Sequence, residues 1–170
     1  MIERLADITA AWMKELVPEH PASVGVLKYG LHIIYNTLLT LVLCVAPALV
    51  LGQTAEVLVA LAAFASLRAI SGGFHFASPV ACAIASSVTM LLLSYVQLEA
   101  PYMFILTAIS VVFAAIYAPS NIEEQTRIPK RYFRHLKIAS ILLISSNFLI
   151  MSPIIAAAFA VQSISLVRRR

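Results

Sequence analysis

Residues 80–98 read VACAIASSVTMLLLSYVQL, and no charged side chain interrupts them. The pattern recurs on both sides, in residues 38–51 (LLTLVLCVAPALVL) and 103–118 (MFILTAISVVFAAIYA). Across the chain 61% of residues are apolar and 12% are charged, about half the charged share of an ordinary soluble domain. Too few polar side chains exist to cover a water-facing surface. Lipid tolerates such a chain if every backbone N–H and C=O is paired inside helices. The expectation is an all-α polytopic membrane protein, with residues 1–170 forming a single membrane domain.

Working outward from these blocks gives six apolar segments, near Val26–Leu51, Ala55–Leu67, Pro79–Leu98, Pro101–Ala118, Ile138–Met151 and Pro153–Val167. A full span needs about 20 residues. The first, third and fourth reach that length. The second, fifth and sixth fall short, and read either as thin spans or as halves of re-entrant hairpins covered by neighbouring helices. Ahead of them, residues 1–18 have helical periodicity. Ile2, Leu5, Ile8, Trp12, Met13 and Leu16 share one arc, while Glu3, Arg4, Asp7, Lys14 and Glu15 lie opposite. Pro18 and Pro21 end the pattern. An amphipathic helix lying in the membrane interface is the preferred reading, with Trp12 as an interfacial anchor. The alternative is a helix packed on the protein's own surface. The acidic residues in this stretch argue against a signal peptide.

Lysine and arginine occur at Arg4, Lys14, Lys28, Arg68, Arg127–Lys137 and Arg168–Arg170, and nowhere in the connectors near Gly52–Glu56 and Gln97–Pro101. The net charge of +4 therefore reports orientation, with no nucleic-acid partner implied. Six crossings place every basic residue on one face. By the positive-inside rule that face is cytoplasmic, together with both termini and a basic loop over residues 119–137. Cys44 and Cys82 form no CxxC pair, so neither a disulfide framework, a zinc site nor any other metal or cofactor is expected.

The string Arg68-Ala-Ile-Ser71-Gly72-Gly73-Phe-His75-Phe-Ala-Ser78-Pro79-Val-Ala-Cys82 breaks the apolar pattern. The Gly-Gly pair opens backbone angles closed to other residues. Ser78-Pro79 reads as an N-cap followed by proline at the first helical position, which puts Cys82 in the opening turn of a long helix. A helix N-terminus favours the thiolate, the nucleophilic form, whereas burial in lipid favours the neutral thiol. The catalytic reading thus requires a polar pocket. On one continuous helix His75 would lie about 10.5 Å along the axis from Cys82, too far for a hydrogen bond. Gly73 and Pro79 argue for a loop that folds back and offers the imidazole as base to the thiol. A lone His and a lone Cys in a membrane protein are more often structural, and the residues alone leave this open. Arg68 reads equally as an oxyanion or carboxylate contact and as a charge anchoring a helix end. Ser71 and Ser78 are weak candidates for a third, orienting group. Cys44, His20, His32 and His135 read as packing, interfacial or surface residues.

These residues resemble the accessory gene regulator B (AgrB) family, membrane cysteine endopeptidases that process quorum-sensing propeptides. Arg68, Gly72, Gly73, His75 and Cys82 match the family pattern at its spacing. Tyr117-Ala118-Pro119, followed by a polar stretch, Pro129 and the basic run to Lys137, is a second match. The resemblance implies that His75 and Cys82 are catalytic. Cys82 would cut off the C-terminal tail of a peptide pheromone precursor through an acyl-enzyme thioester, in a homodimer in the bacterial cytoplasmic membrane. Family substrates carry acidic tails, so Arg127, Lys130, Arg131, Arg134 and Lys137 are candidate substrate contacts. Anchoring to anionic lipid is the bland alternative. Two other classes fit the hydropathy: a small transporter or channel with Arg68 and His75 lining its pathway, and a non-catalytic membrane scaffold.

Overall fold

A computed structural model describes residues 2–74, 76, 78–121 and 129–167. Among these residues the fold is all-helical: α1 (Ile2–Leu16), α2 (Val24–Leu51), α3 (Thr54–Ser71), α4 (Pro79–Leu93), α5 (Ala100–Tyr117), α6 (Phe133–Ser145), the single turn α7 (Asn147–Ile150) and α8 (Pro153–Ile164). A 3-10 turn over Lys130–Tyr132 leads directly into α6. Serine caps recur where helices begin. Ser23, Ser78 and Ser152 accept from the N–H groups of Val26, Ala81 and Ile155, each pairing a donor the helix itself cannot satisfy. Proline occupies the first position of both α4 and α8, where its missing N–H costs nothing.

Among the described residues, four helical stretches are long and apolar enough to cross a membrane: Val24–Leu51, Thr54–Ser71, Ala100–Tyr117 and Lys130–Ile150. This corrects the segment lengths read from hydropathy. The second segment is a full 18-residue helix because Arg68 to Ser71 continue it, although their polarity ended the apolar run. The third stops at Leu93, short of Leu98. Ser94 turns its hydroxyl back onto the Leu91 carbonyl at 2.8 Å, a local bond that competes with helix continuation. The fifth is lengthened from its start. Lys130–Lys137, assigned to a loop from its charge, forms the opening turns of a helical stretch of 21 residues.

Helix α3 is the hub, packed against α2 and α4 on one side and α6 and α8 on the other. α8 also packs along α5. With 12 residues α8 rises about 18 Å, well short of a bilayer core of about 30 Å. It is enclosed instead: Ala156, Ala157, Ala158, Phe159, Ala160, Gln162 and Ser163 are all buried. Two core clusters flank α3, one around Cys44, Ala48, Val57, Ala60, Met90 and Ala158, the other around Leu67, Ala114, Ile144 and Phe159. Alanines let backbones approach closely, which is how helices associate where lipid tails remove the hydrophobic drive. Cys44 is fully buried and its Sγ donates to Ser87 Oγ at 3.4 Å.

Helix α1 packs on α2 through Ile2, Ala6 and Ala10. Lys28 pairs with Asp7 at 2.6 Å and Thr9 Oγ1 bonds Tyr35 Oη at 3.0 Å. Leu5, Ile8, Trp12, Met13 and Leu16 remain exposed. One edge of this segment thus meets α2, while most of the large apolar arc stays uncovered.

Candidate functional site

The loop leaving α3 is sewn to two other elements at the same end of the bundle. Gly72 and Ser120 form an isolated parallel bridge. Gly73 N–H donates to the Ser120 carbonyl at 2.8 Å, and Ser120 N–H donates to the Ser71 carbonyl at 2.9 Å. Phe74 N–H donates to the Ser165 carbonyl, just past α8, at 2.9 Å. Gly73 has φ 128°, a region nearly closed to side-chain-bearing residues. A Cβ there would lie 2.7 Å from Ser165 Oγ and 3.2 Å from Gln162 Nε2.

Gln162, fully buried in α8, holds this loop together. Its Nε2 donates to the Gly72 carbonyl at 2.6 Å and to Ser71 Oγ at 3.2 Å. Its Oε1 accepts from Arg68 Nη1 at 3.1 Å and from Ser165 Oγ at 3.1 Å. Arg68 Nη2 donates to the Phe74 carbonyl, and the guanidinium lies 5.5 Å from the Phe64 ring centre. Arg68 is thus neither a plain helix-end anchor nor a free charge: it reaches across the loop that carries position 75. Ser71 is buried and donates to the Leu67 carbonyl at 2.7 Å, so its hydroxyl serves the loop. Ser78 caps α4, accepting from Ala81 N–H at 3.4 Å.

Cys82 lies in the opening turns of α4, with its N–H on the Ser78 carbonyl at 3.0 Å. The residue is partly exposed. It borders two cavities. The larger, about 620 Å³, lies between α2, α3 and α4 and is also lined by Arg68, Phe76, Ser86, His32, Asn36 and Thr40. Leu41, Leu58, Leu61 and Phe64 line its apolar part. The smaller, about 140 Å³, is lined by Arg68, Phe74, Phe76, Thr89 and Ser165. Both cavities beside Cys82 are lined mainly by apolar groups, with Arg68, His32, Asn36, Thr40 and Ser86 as polar exceptions in the larger one. His75 lies outside the described residues, in the chain between α3 and α4. Its neighbours Phe74 and Phe76 pack edge to face, 5.3 Å between ring centres; both border the smaller cavity beside Cys82, and Phe76 borders the larger one as well.

Of the basic residues, Arg127 lies outside the described residues. Lys130, Arg131 and Arg134 are exposed on the opening turns of the helix leading into α6. Arg131 stacks over Tyr132 at 4.9 Å. Lys137 differs, since its Nζ donates to the Ala115 carbonyl near the end of α5 at 3.0 Å, which ties two helices together.

Reading the sequence alone missed Gln162, Ser165 and Ser120, and placed His32 among packing residues. Two signals could have found most of them. Gln162 is a lone amide in an otherwise apolar segment. His32, Asn36 and Thr40 recur at one-turn spacing on α2, as Cys82, Ser86 and Thr89 do along α4.

The fold and this site define a multi-pass helical membrane protein with a partly exposed cysteine beside a largely apolar cavity. The sequence profile of accessory gene regulator B matches residues 6–167, and the chain belongs to that family, whose members act in the accessory gene regulator system. An AgrB-like protein of Halalkalibacterium halodurans is 34% identical over 110 residues, which cover 65% of this chain and 56% of that relative. No solved structure matches.

Proposed function

We propose that this protein is a membrane cysteine endopeptidase that removes the C-terminal tail of a peptide pheromone precursor and supports its cyclisation. The observation that carries the reading is Cys82 in the first turns of α4, bordering the smaller cavity together with Arg68 and both neighbours of His75. Family membership supports the same conclusion.

His75 takes the proton from the Cys82 thiol. The thiolate attacks the carbonyl carbon of the scissile peptide bond, and the Arg68 guanidinium, which lines the same cavity, stabilises the developing oxyanion. The C–N bond breaks, the departing amine takes its proton from the imidazolium, and an acyl thioester remains on Cys82. A thiol within the substrate then attacks that thioester, closes a thiolactone and returns Cys82 as the thiol. Exchange between thioesters is nearly isoenergetic, whereas the first step turns an amide into a thioester and runs uphill. Removal of the tail or export of the product draws the sequence forward. A water-poor cavity protects the thioester from hydrolysis. The exposed Lys130, Arg131 and Arg134, with Arg127, attract an acidic tail on the cytoplasmic face, and the protein works as a homodimer.

The test is incubation of the purified protein with the candidate propeptide and mass spectrometry of the covalent adduct. Cys82→Ala abolishes the adduct, His75→Ala slows it severely and Cys44→Ala leaves it intact. Loss of adduct in a well-folded Cys44→Ala variant contradicts the assignment.

A further inference from the structure

We infer that His32 and Asn36, on α2, form a subsite that hydrogen-bonds the main chain of the peptide held against Cys82. The inference deepens the endopeptidase reading and rests on it for the identity of the ligand.

His32 Nε2 and Asn36 Oδ1 are buried, and neither has a hydrogen-bond partner among the described residues. Among the described residues the other buried amides carry no such debt. Asn147 donates to Thr107 Oγ1 and to the Ser152 carbonyl and accepts from Ser152 N–H. Gln162 has four partners. A buried, unpaired polar atom is costly and rare, and it calls for a partner outside the fold. The two unpaired atoms are one helical turn apart on one face of α2, and both residues line the cavity that Cys82 and Arg68 line.

Their height along the bundle also fits. α2 and α4 run in parallel, and Ser87 Oγ lies 3.5 Å from the Thr40 carbonyl, which fixes a common level. At a helical rise of about 1.5 Å per residue, Cys82 lies about 7.5 Å from that level toward the helix starts. On the same count Asn36 lies about 6 Å and His32 about 12 Å in that direction. The two side chains therefore bracket the thiol in height.

The chemistry of the cavity selects the occupant. The apolar part suits apolar side chains, while α2 contributes a carbonyl acceptor, Asn36 Oδ1, and an imidazole nitrogen. An extended peptide brings the complement, because its N–H and C=O groups alternate and cannot stay unpaired at membrane depth. Asn36 accepts from a peptide N–H, and His32 protonated at Nε2 donates to a peptide carbonyl. The peptide thus enters as an extended strand laid along α2, its scissile carbonyl carried up to the sulfur.

Two alkylating probes separate peptide binding from thiol reactivity. Iodoacetamide reports the reactivity of Cys82 alone. The tripeptide reagent Ala-Ala-Phe chloromethyl ketone reports the same thiol together with main-chain binding. In each, the thiolate forms a carbon–sulfur bond as halide leaves, and mass spectrometry assigns the adduct to Cys82. His32→Leu and Asn36→Leu each slow the chloromethyl ketone at least tenfold and change the iodoacetamide rate less than twofold. His32→Gln, which restores a polar group at that depth, recovers most of the lost rate. The subsite is overturned if the chloromethyl ketone rate is unchanged in both leucine variants, or if both reagents slow in parallel. Failure of the parent reading looks different: the unmodified protein then forms no adduct with the propeptide, whatever the ratio of the two alkylation rates.

Discussion

At the residue scale, Gln162 concentrates the most structure in one side chain. Its amide joins Arg68 and Ser71 of α3, the Gly72 carbonyl and Ser165. Gln162→Leu keeps the volume and leaves the Gly72 carbonyl and part of the Arg68 guanidinium unpaired. A buried orphan of this kind costs about 1–3 kcal/mol, so the apparent melting temperature in detergent falls by several degrees and adduct formation drops at least tenfold. An unchanged adduct rate would show that the loop holds its shape without this amide. Gly73→Ala acts through the backbone: at φ 128° with Ser165 Oγ 2.7 Å from the new Cβ, strain of about 1–3 kcal/mol follows. Ser165→Ala relieves the contact and leaves the strained φ, so in thermal unfolding the double variant regains only part of the loss. The spacing of Arg68, the glycines, His75 and Cys82 was legible in the sequence because it is local. Gln162 was not, because its partners Arg68, Ser71 and Gly72 lie 90 residues and more away in the chain, and only packing of α8 against α3 brings them together.

At the scale of elements, charge and hydropathy misled in opposite directions. Lys130 to Lys137 read as loop because charged residues end an apolar run, yet helices leave a membrane through such turns, and long basic side chains reach the interface. Ser94 to Leu98 read as helix because leucine and valine continue, yet Ser94 closes the turn by bonding the Leu91 carbonyl. The basic helix start also divides its residues by role. Lys130, Arg131 and Arg134 are exposed, whereas Lys137 donates to the Ala115 carbonyl near the negative end of the α5 dipole. Changing Lys130, Arg131 and Arg134 together to glutamine weakens binding of a fluorescein-labelled acidic peptide at least tenfold at low salt. The difference fades near 1 M salt, where the Debye length is about 3 Å. Lys137→Met leaves that binding within about twofold and lowers stability by about 0.3–1 kcal/mol, the usual range for a cation at a helix C-terminus. Fluorescence anisotropy against ionic strength, beside a thermal melt, separates the two; equal losses of affinity in both variants would erase the distinction.

At the scale of the whole molecule, the all-helical class was legible from composition. The internal arrangement was not legible. Nothing in hydropathy distinguishes α8, which is enclosed, from α5, which exposes Ile105, Ile109, Val112 and Ile116 on one side. The distinction is set by small residues: α8 offers Ala156, Ala157, Ala158 and Ala160, and backbones close around them. The loop that carries position 75, the start of α4, Ser120 and Ser165 all gather at one end of the bundle, and so does the exposed basic start of the helix leading to α6. The connectors at Gly52 and Glu99 lie at the other end. If the positive-inside rule sets the orientation, the cavity mouth faces the cytoplasm, where a newly made precursor is present, and the arrangement predicts a labelling pattern. Single cysteines at Lys14 and Lys130 react with a membrane-impermeant maleimide in inverted vesicles and stay silent in intact cells. Cysteines at Gly52 and Glu99 do the reverse. Labelling of Glu99 and Lys130 from the same side would break the hairpin order on which the site's access from the cytoplasm depends, because α5 is the one helix among the described residues between the two positions and separates them only if it traverses the bilayer.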